Sequence, residues 1–346
     1  MKNNHTSSTL SAREHQELEN TNRIWNAEVT QLVECNLAKV DVESSNLFFR
    51  SKKHATNNCL SRVTIVFMTA YTSPIEQLIH STVRIECQTA NGISYGSGYF
   101  FGFLPKGDEN ILCIVTNKHV ISGANKGRFC LTLKDSENKP QLGQSFGFDF
   151  DNFENMWIKH PNPDVDLAVF PIAPILHRAR QQGQECYFIS LNNNFLPDSN
   201  FLNSLSSMED IVMIGYPIGL WDQKHNLPII RKGITATHPR LDWNNRPEFL
   251  IDAACFPGSS GSPVFLANIG SFVDATGALC SGTRIALLGT LYAGPQYTAT
   301  GEIQVVQVPI TTRALALSNI PTNLGFVISS SILLDFEPIL SKMVNT

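Results

Sequence analysis

From about residue 76 onward the sequence predicts an all-β fold, a sandwich or a barrel, with one helix at its end. Two observations carry this. Apolar runs are short and broken by Gly, Pro, Asn and Asp: Tyr99 to Leu104, Ile111 to Thr116, Leu167 to Ile172, Ile211 to Ile214, Ile285 to Leu291 and Leu324 to Ile328. Between them lie turn residues rather than the 10–15-residue amphipathic stretches that βαβ units need. The final run, Ile332 to Lys342, is spaced for a single closing helix in spite of Pro338.

Ahead of this region the texture differs. Residues 10 to 38 place Leu18, Ile24, Trp25, Val29, Leu32 and Val33 among charged residues, which predicts one amphipathic helix. Residues 43 to 62 are rich in Asn, Ser and Lys and read as a linker. The expected division is therefore an N-terminal extension, 1–75, and a folded domain, 76–346, with the boundary near Ser73-Pro74. No internal repeat or low-complexity tract interrupts the chain.

Composition narrows the function classes. The 346 residues are 42% hydrophobic and 16% charged, enough for a core of ordinary size, and the net charge of −4 comes without any block of like charges. A nucleic-acid or anionic-membrane partner would call for a basic footprint, so neither is expected, and the expected partner is a protein or peptide substrate. Residues 1 to 20 lack the basic and apolar stretches of a secretory signal. Val63 to Tyr71 is about half the roughly 20 residues of a membrane helix. The eight cysteines (35, 59, 87, 113, 130, 186, 255, 280) show no C-x-x-C pair or zinc-type spacing. Reduced thiols, cytoplasmic residence, no metal and no cofactor are the corresponding expectations.

Three short segments bear chemistry. Phe256-Pro257-Gly258-Ser259-Ser260-Gly261-Ser262-Pro263 precedes the strand-like Val264-Phe265. A nucleophilic serine needs a tight turn that exposes its hydroxyl while backbone N–H groups face the developing oxyanion, and glycines permit such a turn. Ile114-Val115-Thr116-Asn117-Lys118-His119-Val120 runs an apolar strand into a histidine, a rigid mounting for a base. Asp164-Val165-Asp166 opens the apolar strand Leu167 to Phe170, where a carboxylate can orient an imidazole. Each segment alone has a plainer explanation: a loop, one histidine among nine, a turn residue capping a strand. Their order decides. Asp166 follows His119 by 47 residues and Ser260 follows it by 141, the His–Asp–Ser order of two-barrel proteases and not that of subtilisin or the α/β-hydrolases.

The chain resembles the trypsin-like serine peptidases, and among them the bacterial HtrA-type protease domain and the glutamyl-endopeptidase-like enzymes. The resemblance rests on Gly258 to Pro263, on Gly96-Ser97-Gly98-Tyr99 and on Thr116-Asn117-Lys118-His119-Val120. It extends to Ile214 through Leu220, Ile251-Asp252-Ala253-Ala254 and Gly325-Phe326-Val327-Ile328, roughly residues 76 to 342.

The resemblance implies two six-stranded antiparallel β-barrels, chymotrypsin-like, with a C-terminal helix and an N-terminal helical extension. It also implies a serine endopeptidase with His119, Asp166 and Ser260 as the catalytic residues, Asp164 being the alternative carboxylate. The N–H groups of Gly258 and Ser260 would form the oxyanion hole. Ala254, six positions before the serine, would floor the primary substrate pocket, with Tyr292, Ala293 and Gly294 as its wall. None of these four is charged, so apolar or small residues are expected before the cut. Ser259 stands where activatable relatives carry an aspartate, so no proteolytic release of an α-amine is expected to be required. No PDZ domain is expected, and Gly294 to Asn323 is longer than the simplest relatives need.

Three alternatives remain. Gly92-Ile93-Ser94-Tyr95-Gly96 matches a hydrolase nucleophile elbow, but the aromatic, strand-like run after it does not suit the helix such an elbow requires. Cys255 lies five positions before Ser260, outside the turn. A catalytically inactive protease fold, serving as a binding or scaffold module, is the alternative from another function class.

Overall fold

The computed structural model describes residues 73–106, 109–294, 296–302 and 315–344. The expected helix over 10–38, the linker over 43–62 and the apolar run from Val63 to Tyr71 lie outside these residues. The described chain opens on a helical turn, Pro74–Leu78, whose first N–H groups are capped by the Ser73 side chain through Glu76 N.

Two β units follow. The first contains β1 (Thr82–Thr89), β2 (Gly92–Lys106), β3 (Glu109–Thr116), β4 (Lys126–Lys134), β5 (Pro140–Asp151), β6 (Ile158–Lys159), β7 (Ala168–Pro171) and β8 (Leu191–Asn192). They pair in the order β5-β4-β1-β2-β3-β7-β6, with β8 added in parallel to β2. The second contains β9 (Asp210–Gly215), β10 (Ile229–Thr235), β11 (Glu248–Asp252), β12 (Pro263–Asn268), the hairpin β13 (Ser271–Val273) and β14 (Leu279–Ser281), and β15 (Arg284–Ala293). It ends with the ribbon β16 (Gln296–Glu302) and β17 (Leu315–Pro321), then β18 (Leu324–Ser329). Six of these strands close into an antiparallel barrel, β10-β11-β18-β15-β12-β9. The fold is all-β with a double-barrel layout, as expected. The first unit's sheet carries eight strands where six were anticipated, and the described residues between Gly294 and Asn323 include the β16–β17 ribbon.

The period of two along each strand explains why the central runs are apolar throughout. In β2, Phe100 faces the core of the first unit while Tyr99, Phe101 and Phe103 face a shared core between the units. In β9, Ile211 and Met213 fill the second barrel while Val212 and Ile214 face the shared core, and β15 divides Ala286 and Leu288 from Ile285 and Leu287 in the same way. Both faces of these strands are therefore buried. Tyr99 OH and Thr290 Oγ1 bridge the units at 2.8 Å.

The single closing helix is corrected to two pieces, a 3-10 stretch Ser330–Phe336 and an α-helix Glu337–Val344. Pro338 sits in the first turn of the second, where its missing N–H has no intrahelical acceptor to lose. Leu333, Phe336 and Leu340 pack into the shared core, and Glu337 Oε1 accepts from Leu104 N at 3.2 Å. Ser94 lies inside the continuous strand β2, paired with Cys87, so the elbow motif is no strand–turn–helix corner. All six described cysteines carry free thiols.

Candidate active site

His119 stands in a single helical turn, Lys118–Ile121, at the end of β3. Asp166 stands just ahead of β7, which pairs with β3, so the ladder brings the two together. The Asp166 carboxylate grips His119 twice: Oδ1 accepts from the backbone N–H at 3.1 Å, and Oδ2 lies 2.5 Å from Nδ1. With Nδ1 carrying the proton toward a carboxylate, Nε2 is left as the basic nitrogen. Asn117 Nδ2 donates to the Asp166 carbonyl at 2.8 Å and holds the aspartate's backbone. Asp164 is exposed, and its backbone N–H bonds Asn162 Oδ1, a turn role.

Ser260 lies between two linked turns. Ser259 N bonds the Phe256 carbonyl across Pro257 and Gly258, and Ser262 N bonds the Ser259 carbonyl across Ser260 and Gly261. The glycines have φ of +86° and +85°, in the left-handed region. Pro257 supplies the fixed φ of the first turn. The N–H groups of Gly258 and Ser260 have no acceptor among the described residues, while those of Ser259, Gly261 and Ser262 are all bonded. Unengaged backbone donors two residues apart on a hydrogen-bonded turn are groups that a developing oxyanion could use. The Ser260 hydroxyl donates to the Tyr292 carbonyl at 3.3 Å and not to His119.

One serine anticipated only as part of a motif turns out to organise this corner. Ser97, fully buried in β2, donates its N–H to the Ser260 carbonyl (2.8 Å) and its Oγ to the Gly258 carbonyl (2.9 Å). Its Oγ also accepts from Tyr216 N (2.9 Å), and its carbonyl accepts from Thr116 Oγ1 (2.7 Å). One residue thereby joins the serine turn to the strand that ends near His119.

Gly294 runs alongside Cys255, close enough that an added Cβ would lie 3.5 Å from the Cys255 Cβ. The Tyr292 phenol donates to Glu248 Oε2 at 2.9 Å. The carbonyl of Ala254, however, accepts from Arg231 Nη1, and the guanidinium lies 4.9 Å from the centre of the Phe256 ring. Arg231 comes from β10, and nothing in its local sequence marked it. Burial pushes the Cys255 thiol up to about 11, which leaves it protonated and a poor nucleophile. Among the described residues no three His, Cys, Asp or Glu side chains come together as metal ligands, and no helix is long and apolar enough to cross a membrane.

No curated protein matches the chain. Among solved structures, a serine endoprotease from Yersinia pestis aligns at 16% identity over 80% of this chain and 68% of its own, with a TM-score of 0.39. A protease from M. tuberculosis in its active form aligns at 15% identity over 84% and 94%, with a TM-score of 0.36. An HtrA-type protease with a bound tripeptide aligns at 16% identity and a TM-score of 0.38, the chain spanning 62% of it. These scores are low, and membership rests on sequence: residues 82–273, more than half of the chain, match the trypsin-like peptidase domain family. The chain belongs to the trypsin-like serine peptidases.

Proposed function

We propose that the chain hydrolyses peptide bonds through His119, Asp166 and Ser260. His119 Nε2 takes the Ser260 proton as Oγ attacks the scissile carbonyl. The oxyanion is held by the N–H groups of Gly258 and Ser260. As the tetrahedral intermediate collapses, His119 passes the proton to the leaving amine and an acyl-serine remains. Water then enters, gives its proton to His119, and releases the acid as the proton returns to Ser260. Asp166 keeps the imidazole in the required tautomer and balances its positive charge.

The observation that carries this reading is the double contact of the Asp166 carboxylate with His119. Catalysis requires the Ser260 hydroxyl to give up the Tyr292 carbonyl as its acceptor in favour of His119, and that bond to Tyr292 is also what favours the inert-scaffold reading. A fluorophosphonate probe separates the two. Labelling of wild type, lost in Ser260→Ala and depressed in His119→Ala, supports catalysis. A folded wild-type chain that takes no label and cuts no peptide supports the scaffold.

A further inference from the structure

The turn that leads into Ser260 leaves one of its own peptides undecided. Ser259 N bonds the Phe256 carbonyl, and a closing bond of this kind is common to type I and type II turns. The two types differ in which way the central peptide, between Pro257 and Gly258, is turned. Gly258 has no Cβ and admits both, and its φ of +86° identifies the type II form. In a trans peptide the carbonyl and the N–H point in opposite directions. Whatever holds the Pro257 carbonyl therefore also aims the Gly258 N–H, which has no acceptor among the described residues.

That carbonyl is held from another strand. Ile218, in the 3-10 turn Pro217–Gly219 that follows β9, donates its N–H to the Pro257 oxygen at 2.6 Å. The two turns are in direct contact: a Cβ added to Gly258 would lie 2.7 Å from the Tyr216 carbonyl oxygen and 2.9 Å from Ile218 N. Ile218 reaches this position with φ of 53° and ψ of 24°, a left-handed conformation that is an outlier for a β-branched residue. Its side chain is 61% exposed, so burial does not offset the strain. Backbone bonds on both sides impose it instead. Gly219 N bonds the Tyr216 carbonyl (3.1 Å), Leu220 N bonds the Pro217 carbonyl (2.8 Å), and Tyr216 N is fixed by Ser97 Oγ (2.9 Å). Ser97 Oγ holds the Gly258 carbonyl, and Ile218 holds the one before it.

We propose that Ile218 is a positioning residue for the serine turn: its backbone N–H fixes the Pro257–Gly258 peptide in the orientation that offers the Gly258 N–H to the developing oxyanion. The inference rests on the serine-peptidase reading and adds to it a residue from outside the catalytic turn.

The test replaces the Ile218 amide by an ester, placing the α-hydroxy acid analogue of isoleucine at that codon, which deletes the N–H and keeps the side chain. The same exchange at Leu220, with the hydroxy analogue of leucine, removes the bond to Pro217 within the same turn and is the control. Both are read by kcat and KM on one fluorogenic peptide and by urea unfolding. The Ile218 ester is expected to lower kcat by at least about tenfold, toward the roughly 10²- to 10³-fold of a missing oxyanion donor, with KM within about threefold of wild type. The Leu220 ester should keep kcat within about threefold at a similar loss of stability. Equal kcat in the two variants, whether both fall or neither does, would overturn the assignment, because a merely structural bond acts alike at both positions. Wild type supplies a second measurement should the Ile218 ester fail to fold. A peptide aldehyde, whose hemiacetal with Ser260 puts an oxygen where the oxyanion develops, should slow amide exchange at Ile218 by about tenfold and leave Leu220 unchanged. Unaltered exchange at Ile218 would overturn the role given to it. A wild-type chain that neither cuts peptide nor takes a fluorophosphonate label would overturn the serine-peptidase reading itself, and the role of Ile218 with it.

Discussion

A Cβ on Gly261 would overlap the backbone carbonyl oxygen of Ser97. The residue after Ser260 must be glycine for that reason as well as for its φ of +85°, because the obstacle is backbone and cannot turn aside. Gly261→Ala is expected to cost about 3 kcal/mol or more in urea unfolding and to abolish peptidase activity. Gly123→Ala is the control, since its φ is +70° but nothing lies within 4 Å of the added carbon. It should cost about 1 kcal/mol. Similar losses at the two sites would show that the Ser97 contact is unimportant.

Asp166 and Asp164 are separated by one residue and by very different surroundings. Asp166→Asn is expected to lower kcat by about 10³- to 10⁴-fold, because an amide in place of the carboxylate favours the wrong imidazole tautomer. Asp164→Asn should stay within about threefold of wild type, since Asp164 contributes a backbone N–H to a turn. Steady-state kinetics on one peptide decides between them, and a larger loss at Asp164 would reverse the assignment.

Ser259 is buried and its hydroxyl has no partner among the described residues. Removing it should be close to neutral, so Ser259→Ala is expected to change stability by no more than about 1 kcal/mol. Ser259→Asp would bury a charge with no cation to meet it and should cost about 3 kcal/mol or more. In keeping with an uncharged residue here, the intact chain should be active, and acetylating its α-amine should leave the rate unchanged. Activity that appears only after a cut exposing one defined amine would refute this.

His80 packs edge-on against Tyr187 at 5.1 Å, and burial pulls its imidazole down from 6.5 to about 4. The unfolded chain therefore binds this proton at a higher pH than the folded one. Stability is complete above about pH 6.5 and falls as pH drops toward 4, by on the order of 2 kcal/mol. His80→Phe keeps the ring contact and removes the titration. Denaturant unfolding between pH 4 and 7 should show a flatter slope in that variant than in wild type, and equal slopes would dismiss His80 as the source.

Much of the fold and of the candidate site was legible before any contact was known, because the relevant physics is local. The strands that carry the three cores announce themselves as apolar runs of four to seven residues. Pro257, Gly258 and Gly261 announce the serine turn through backbone conformation alone, and His119, Asp166 and Ser260 follow in the chain order of the two-barrel proteases. Locality also sets the limit. The closing segment has a helical period throughout, yet it divides at Phe336 into a 3-10 stretch and an α-helix, with Pro338 in the first turn of the second. Asp164 stood as the alternative to Asp166 until the β3–β7 ladder placed the Asp166 carboxylate against His119. The role of Ser97, 163 residues before Ser260, and the arrival of Arg231 at Ala254 depend on which strands lie side by side. Strand pairing joins residues far apart in the chain, and a sequence records each partner without recording the pairing, so the charge beside Ala254 was settled by tertiary structure alone.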